Sequence, residues 1–348
     1  MKRFGTVPFC ALAIIAIVAI TAEAADDGVR PSFLSVIEEN DTFGNIFGVK
    51  NQDRHYSQGL KIMLIGGDNT LPKLTSALDR FLPQMGMRPE ASDIGLILLA
   101  QNMYTPADIT NPAPIYTDQP YGGWLYTGLI YQRRGVTPDR RIPVLDSFEL
   151  DLGVTGSASL AREAQRTFHN WIHDDRPMGW DHQLKTEPGL ELKYARYWRL
   201  TINENTAPFF DLIPHVGCSL GNIRTYGALG GILRFGYNLP QDFGPVLGDS
   251  TAPTIAPMKK SPPFSFYGYG GAEGRVVAHN IFLDGNTYLN SMSVDKNNLV
   301  GDLIWGLAMR FGPYVEVNFT GILRSKQFKG QDGVDGFGSI LFKAVIPI

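Results

Sequence analysis

From Val315 to Arg324 apolar and polar positions alternate, so that Val315, Val317, Phe319, Gly321 and Leu323 share one face of an extended chain and Glu316, Asn318, Thr320 and Arg324 the other. Phe148, Leu150, Leu152 and Val154 oppose Glu149, Asp151 and Thr155 in the same way. At the C-terminus Ile340, Phe342, Ala344, Ile346 and Ile348 oppose Ser339, Leu341, Lys343 and Val345. This period of two predicts strands near 31–40, 57–66, 93–102, 123–134, 144–156, 189–202, 209–220, 223–236, 264–282, 299–311, 314–326 and 337–348. Two stretches break the period, 71–83 and 159–175, and both read as helices. In the second, Leu160, Ala164, Phe168, Trp171 and Ile172 return at helical spacing behind Ser157 or Ser159 as N-cap. The proline-rich stretch 241–263 reads as a long loop, and no internal repeat or linker divides the chain.

Alternation suits a soluble sandwich as well as a barrel in lipid, so composition has to narrow the choice. The first 24 residues carry Lys2 and Arg3, an apolar run ending near Ile20, and Ala22-Glu23-Ala24. That is the pattern of a secretory signal peptide cleaved after Ala24, too short and weakly flanked for a spanning helix. Cys10 leaves with it, and Cys218 alone cannot form an intramolecular disulfide. Without Lys2, Arg3 and Glu23 the basic and acidic counts fall from 31 and 34 to 29 and 33, a slightly acidic chain with no basic patch for nucleic acid. With 38 glycines, 20 phenylalanines, 14 tyrosines and 19% charged residues, the composition favours an all-β chain. Beyond residue 24 there is no run of 18 apolar residues, so in a membrane this chain must be a closed barrel. Twelve strands is an even count, as single-chain outer-membrane barrels require.

With both termini on the periplasmic side, parity sends loops 41–56, 103–122, 157–188, 284–298 and 327–336 to the outer end. Turns 67–92 and 241–263 then fall on the periplasmic side, where such turns are normally short. The outer loops hold the polar segments ENDTF (39–43), DRHYSQGLK (53–61), QNMYTPADI (101–109), QPYGGWLY (119–126) and AQRTFHNWI (164–172), followed by PMGWDHQLKTEPGLEL (177–192). Taken in order, these motifs resemble those of the outer-membrane lipid A 3′-O-deacylases over almost the whole chain beyond the leader. The resemblance implies a twelve-stranded antiparallel transmembrane β-barrel over 25–348, with a short helix in an extracellular loop. It also implies a Ca²⁺-assisted hydrolase site at the outer-leaflet end, with lipid A or lipopolysaccharide as substrate; we expect a monomer.

By the same resemblance Asn40 and Asp41 fall on the family's Asn-Asp pair, Ser57 on the hydroxyl residue of its YTNG-like motif, and His169 on its catalytic histidine. The motif here reads YSQG, with Gln58 for the common asparagine, and Ile348 departs from the usual terminal aromatic. Asn102 and Lys61 are the two candidates for the family's site lysine. The chemistry suits these residue types: a neutral imidazole is a base near pH 7, and an aspartate with amide oxygens can hold Ca²⁺, which polarises an ester carbonyl. Ser57, Gly59 and Lys61 share a strand face opposite Leu60, Ile62 and Leu64, which predicts Ser57 in the lumen and His169 held above it. Phe168, Trp171 and Ile172 would anchor the helix on the barrel, leaving His173 more exposed. His55 is a candidate ligand for headgroup phosphate; Asp174, Asp175 and Arg176 read as the helix end in solvent, with one of the two acids the alternative for orienting the imidazole. For Tyr104, Tyr121, Trp124 and Tyr126 an interfacial aromatic girdle competes with substrate contact, the latter for Tyr104. Alternatives to the deacylase are an outer-membrane phospholipase with Ser57 as nucleophile, a non-catalytic barrel, and a soluble sandwich.

Overall fold

In the computed structural model of the chain the described residues are 32–43, 54–66, 71–83, 85–139, 142–201, 208–245 and 262–346. The expected leader, Asp53, most of the 241–263 loop and Ile348 lie outside them. Twelve strands follow one another as an antiparallel meander. They are β1 (Ser32–Asn40), β2 (His55–Ile65), β3 (Arg88–Thr105), β4 (Gly122–Val136), β5 (Pro143–Thr155) and β6 (Pro188–Trp198, continued by Leu200–Thr201). Then come β7 (Phe210–Gly221), β8 (Arg224–Tyr237), β9 (Phe264–Asn280), β10 (Leu299–Phe311), β11 (Val315–Arg324) and β12 (Asp335–Ile346). The first and last strands pair from Ser32 with Ile346 to Asn40 with Gly338, which closes the barrel. β3 runs beyond its expected limits of 93–102 at both ends, from Arg88 to Thr105.

Burial decides between sandwich and membrane barrel. In β11 it is Glu316, Asn318, Thr320 and Arg324 that are buried, while Val315, Val317, Phe319 and Leu323 lie outward. Leu152, Leu192, Leu229, Leu303 and Leu307 are exposed on other strands, whereas Glu149, Asp151 and Lys193 are buried. A polar interior inside an apolar wall is the reverse of a water-soluble fold and the arrangement of a barrel solvated by lipid.

The lumen is filled by ion pairs that satisfy one another away from water. Lys193 bridges Glu149 at 3.0 Å and Asp151 at 2.8 Å, with Lys61 3.4 Å from Glu149. Asp302 receives Arg275 at 2.8 Å and Arg324 at 2.9 Å. Charges buried in this way hold position only while each keeps its partner. Described residues of the two long periplasmic turns pack into the opposite mouth. Helix α1 (Pro72–Phe81) leads into carbonyls of Pro83 and Met85, which accept from Arg133 and Arg196 at 2.8 and 2.6 Å. Leu239 and Phe243 turn inward, where Arg234 pairs with Asp242. The described residues of both turns thus pack into that end of the barrel.

Candidate functional site

The outer loops meet as parity requires, and one of them carries helix α2 (Ala161–Ile172). Its N-cap is Leu160, in the left-handed region at φ 59°, and neither serine. Ser159 serves one residue earlier, its hydroxyl donating to Gly156 O at 2.6 Å and accepting the Ala161 N–H at 3.4 Å. The helix buries Ala161, Gln165 and His169, spaced by four, while Phe168 and Trp171 remain 38% and 54% exposed. The expected aromatic anchor is therefore wrong: the helix is fixed by its polar stripe. Gln165 Oε1 accepts the Trp180 indole N–H at 2.7 Å, and Trp180 packs on Tyr121 beside Met103 and Ala161.

The two glycines of QPYGGWLY explain how the helix reaches the wall. On the lumenal side of β4, a Cβ on Gly122 would meet Phe282 at 2.9 Å. On the outer side, one on Gly123 would meet the Ala161 Cβ at 2.5 Å. Consecutive glycines let the strand be approached closely from both faces.

Between α2 and the wall lies a groove of about 320 Å³ lined by Asn40, Thr42, Ser57, Gln58, Met103, Gln165, Phe168, His169, Ile172 and Asp174. Asn40 and Gln58 face outward on β1 and β2, so the groove is on the lipid side of the barrel and not in the lumen. Ser57 reaches it because the β2–β3 register shifts between Tyr56 and Gln58. The bulge turns Tyr56 inward, where Asn102 donates to its hydroxyl at 3.0 Å, and aims Ser57 at Thr105 Oγ1, 2.6 Å away. Strict alternation misassigned this serine by one bulge.

His169 is 3% exposed, and its Nδ1 lies 2.5 Å from the carbonyl oxygen of Asp175. A carbonyl can only accept, so the proton is on Nδ1 and Nε2 is the basic nitrogen. The chain returns to make this bond because His173, the C-cap, takes a left-handed conformation at φ 57°. A backbone carbonyl thus orients the imidazole, the part that the alternative reading gave to a carboxylate of Asp174 or Asp175. His173 itself is exposed, as anticipated.

Asn40 and Asp41 diverge. Asn40 lines the groove with its Oδ1 accepting the Thr42 N–H at 2.8 Å, whereas Asp41, 2% exposed, accepts the Arg54 N–H at 2.7 Å at the base of the loop. Other expected site residues lie elsewhere. Lys61 and Asn102 are lumenal, on the far side of Tyr56. Tyr104 is also lumenal, stacked on Phe282 with centroids 3.9 Å apart, and Trp124 stacks on Tyr126 inside the barrel. Tyr121 lies beneath α2 and donates to the Ile109 carbonyl, so these aromatics form no interfacial girdle.

His55 is clamped between Asp335 at 2.8 Å and Asp118 at 3.1 Å, with Phe328 against its ring. Burial works against ionising Asp118, yet the His55 hydrogen bond and the N–H groups of Ala107 and Gln119 hold its carboxyl below the usual range. This histidine ties loops together and offers no nitrogen to a phosphate. Glu187 does likewise, accepting the N–H groups of Thr287 and Tyr288. Sequence reading placed Gln165 on one helix face with His169, four residues apart, but missed Thr105 and the Asp175 carbonyl, for which the sequence left no signal.

A closed barrel with an oriented imidazole, a hydroxyl and amides on its outer wall defines an outer-membrane protein whose site faces lipid. The chain matches the family of Outer membrane protein LpxR over residues 9–345 and belongs to it, which places it in the bacterial outer membrane. LpxR from Salmonella typhimurium has the same fold, at TM-score 0.70 and 18% identity over 90% of this chain and 100% of that one. The beta domain of the Bordetella autotransporter BrkA (TM-score 0.42, 10% identity, 91% and 100% covered) is a more distant likeness. So is the translocator domain of NalP from Neisseria meningitidis (0.41, 8%, 96% and 95%). Among curated proteins none matches.

Proposed function

We propose that the chain is an outer-membrane hydrolase that removes an ester-linked acyl chain, of the 3′-acyloxyacyl type, from lipid A. The observation that carries this reading is the place of the groove. A site for a water-soluble substrate belongs in the lumen or among the loop tips, whereas this one lies between the barrel's outer wall and α2, with Met103, Phe168 and Ile172 beside Ser57 and His169. Membership of the family and the motif resemblance support the same substrate. One chain supplies the whole barrel and groove, which favours a monomer.

In this mechanism His169 Nε2 takes a proton from water as the water attacks the ester carbonyl, while Nδ1–H stays on the Asp175 carbonyl and keeps the ring from turning. Asn40 and the Ser57 hydroxyl, braced by Thr105, are the donors for the developing oxyanion. After collapse to the carboxylate, the proton on Nε2 passes to the departing sugar or hydroxyacyl oxygen. Ca²⁺ fits the donor chemistry of the groove, whose Asn40, Thr42, Ser57, Gln58 and Asp174 all carry oxygen donors, and Asp41 follows Asn40 in the chain at the base of the first loop. Among the described residues no three His, Cys, Asp or Glu gather as a metal cluster, so the ion would rest on Asp41 and Asn40 with neutral oxygens and water. When bound it would polarise the ester carbonyl.

Mass spectrometry of lipid A from cells with and without the protein tests the reading. Loss of a mass equal to one acyloxyacyl group is expected, and unchanged lipid A with the barrel present in the membrane rejects it. A second reading, with Ser57 as nucleophile, is favoured by Ser57 and His169 lining one groove. If water attacks, Ser57→Ala slows turnover by about tenfold to a hundredfold, the loss of one oxyanion donor or somewhat less, and no acyl group is trapped. An acylated Ser57 peptide would transfer the case to the nucleophile.

A further inference from the structure

We infer that one flank of α2 is immersed in the acyl chains of the outer leaflet, making the helix an interfacial element through which the groove opens sideways to lipid. On a helix turning about 100° per residue, Leu160, Ala164, Phe168 and Trp171 fall together, to one side of the buried stripe of Ala161, Gln165 and His169. Leu160 and Trp171 are each 54% exposed and Phe168 38%. Arg162 and Arg166 fall on the opposite flank, Arg162 held by Asp181 at 2.8 Å, and Glu163, Thr167 and Asn170 face away from the barrel. The helix therefore has three environments: the wall, an apolar flank and a basic flank.

Lipid is the occupant that matches all three. The helix stands on the outer wall beside Gln58 of β2 and Met103 of β3, and beyond Gln101, which donates to Ser159 O at 2.6 Å, the outward residues of β3, Leu99, Leu98 and Leu96, are exposed and apolar. The apolar flank thus continues a surface that lipid already covers. On the other flank Arg162 is already paired with Asp181 and with Glu163 at 3.2 Å, and Arg166 beside it is the basic residue that matches an anionic headgroup, as in helices that lie in a membrane interface. Phe168 belongs both to this flank and to the groove lining, so an acyl chain entering beside it need not leave the leaflet.

The inference rests on the outer-membrane barrel and not on the chemistry proposed for the groove. It is tested with the full chain in phosphatidylcholine vesicles whose acyl chains are brominated or not, comparing wild type with Trp171→Phe. The conservative change at an exposed position keeps the barrel, which heat-modifiable mobility verifies. The difference between the two emission spectra isolates Trp171 from the other four tryptophans, of which Trp124 and Trp180 are buried and Trp198 and Trp305 half-buried. Brominated chains should remove more than about half of that difference, as for aromatic side chains inserted at the acyl boundary, and aqueous iodide should leave it unchanged. Quenching by iodide without a bromine effect would mean that water covers the flank, and insensitivity to both that protein covers it; either overturns the inference. Bromine quenching in a chain that hydrolyses no lipid A would reject the proposed function and leave this surface standing.

Discussion

Replacing His169 by asparagine is expected to leave a folded, heat-modifiable barrel whose turnover on lipid A is lower by at least about a hundredfold, the usual cost of a lost general base, or roughly 3–5 kcal/mol of transition-state stabilisation. Asparagine preserves a polar side chain on the stripe that α2 buries, so packing against Met103 and Trp180 should survive. The basic Nε2 is what disappears. His173→Asn is the control: this residue is exposed and shapes the turn, and asparagine tolerates its left-handed conformation at φ 57°. A loss below about tenfold is expected there, since only a surface imidazole is removed. Turnover measured in vesicles with both variants decides the matter. If His173→Asn is the more damaging, the wrong imidazole has been placed in the groove.

The strand series was legible because alternation is enforced by two solvents of opposite character, lipid outside and an ion-paired lumen inside. It holds wherever the ladder is regular. It failed at Ser57 because one unpaired residue between Tyr56 and Gln58 reverses facing, and nothing in Tyr-Ser-Gln-Gly announces a bulge. Lys61 and Asn102 were misplaced for the opposite reason: they keep the regular alternation and so point inward, away from a groove that lies outside. The helix was legible as a helix, but its apolar residues were assigned to the wall by analogy with soluble folds, where apolar means buried. Against a barrel rim the buried stripe is Ala161, Gln165 and His169, and the aromatic residues face elsewhere. The Asp175 carbonyl that fixes the imidazole was beyond any reading of side chains. It depends on where a backbone turn ends.

Chelation of divalent cations is expected to reduce deacylation by at least about a hundredfold, because several kcal/mol of charge stabilisation at the ester carbonyl would be lost. Asp41→Asn should do nearly the same at ordinary Ca²⁺ concentrations. The substitution is chosen for what it keeps: an amide oxygen can still accept the Arg54 N–H that Asp41 now takes at 2.7 Å, so the base of the first loop stays closed while one negative charge is removed. Asp41→Ala would lose both, leaving a partly buried N–H without its acceptor at a cost of about 1 kcal/mol to the loop. If Asp41 binds the ion, Asp41→Asn should recover part of its activity as Ca²⁺ is raised, and Asn40→Ala should show the same shift. Equal activity of the wild type with and without excess chelator would remove Ca²⁺ from the mechanism. Asp41 would then be the carboxylate that closes the first loop, and oxyanion stabilisation would fall to Asn40 and Ser57 alone.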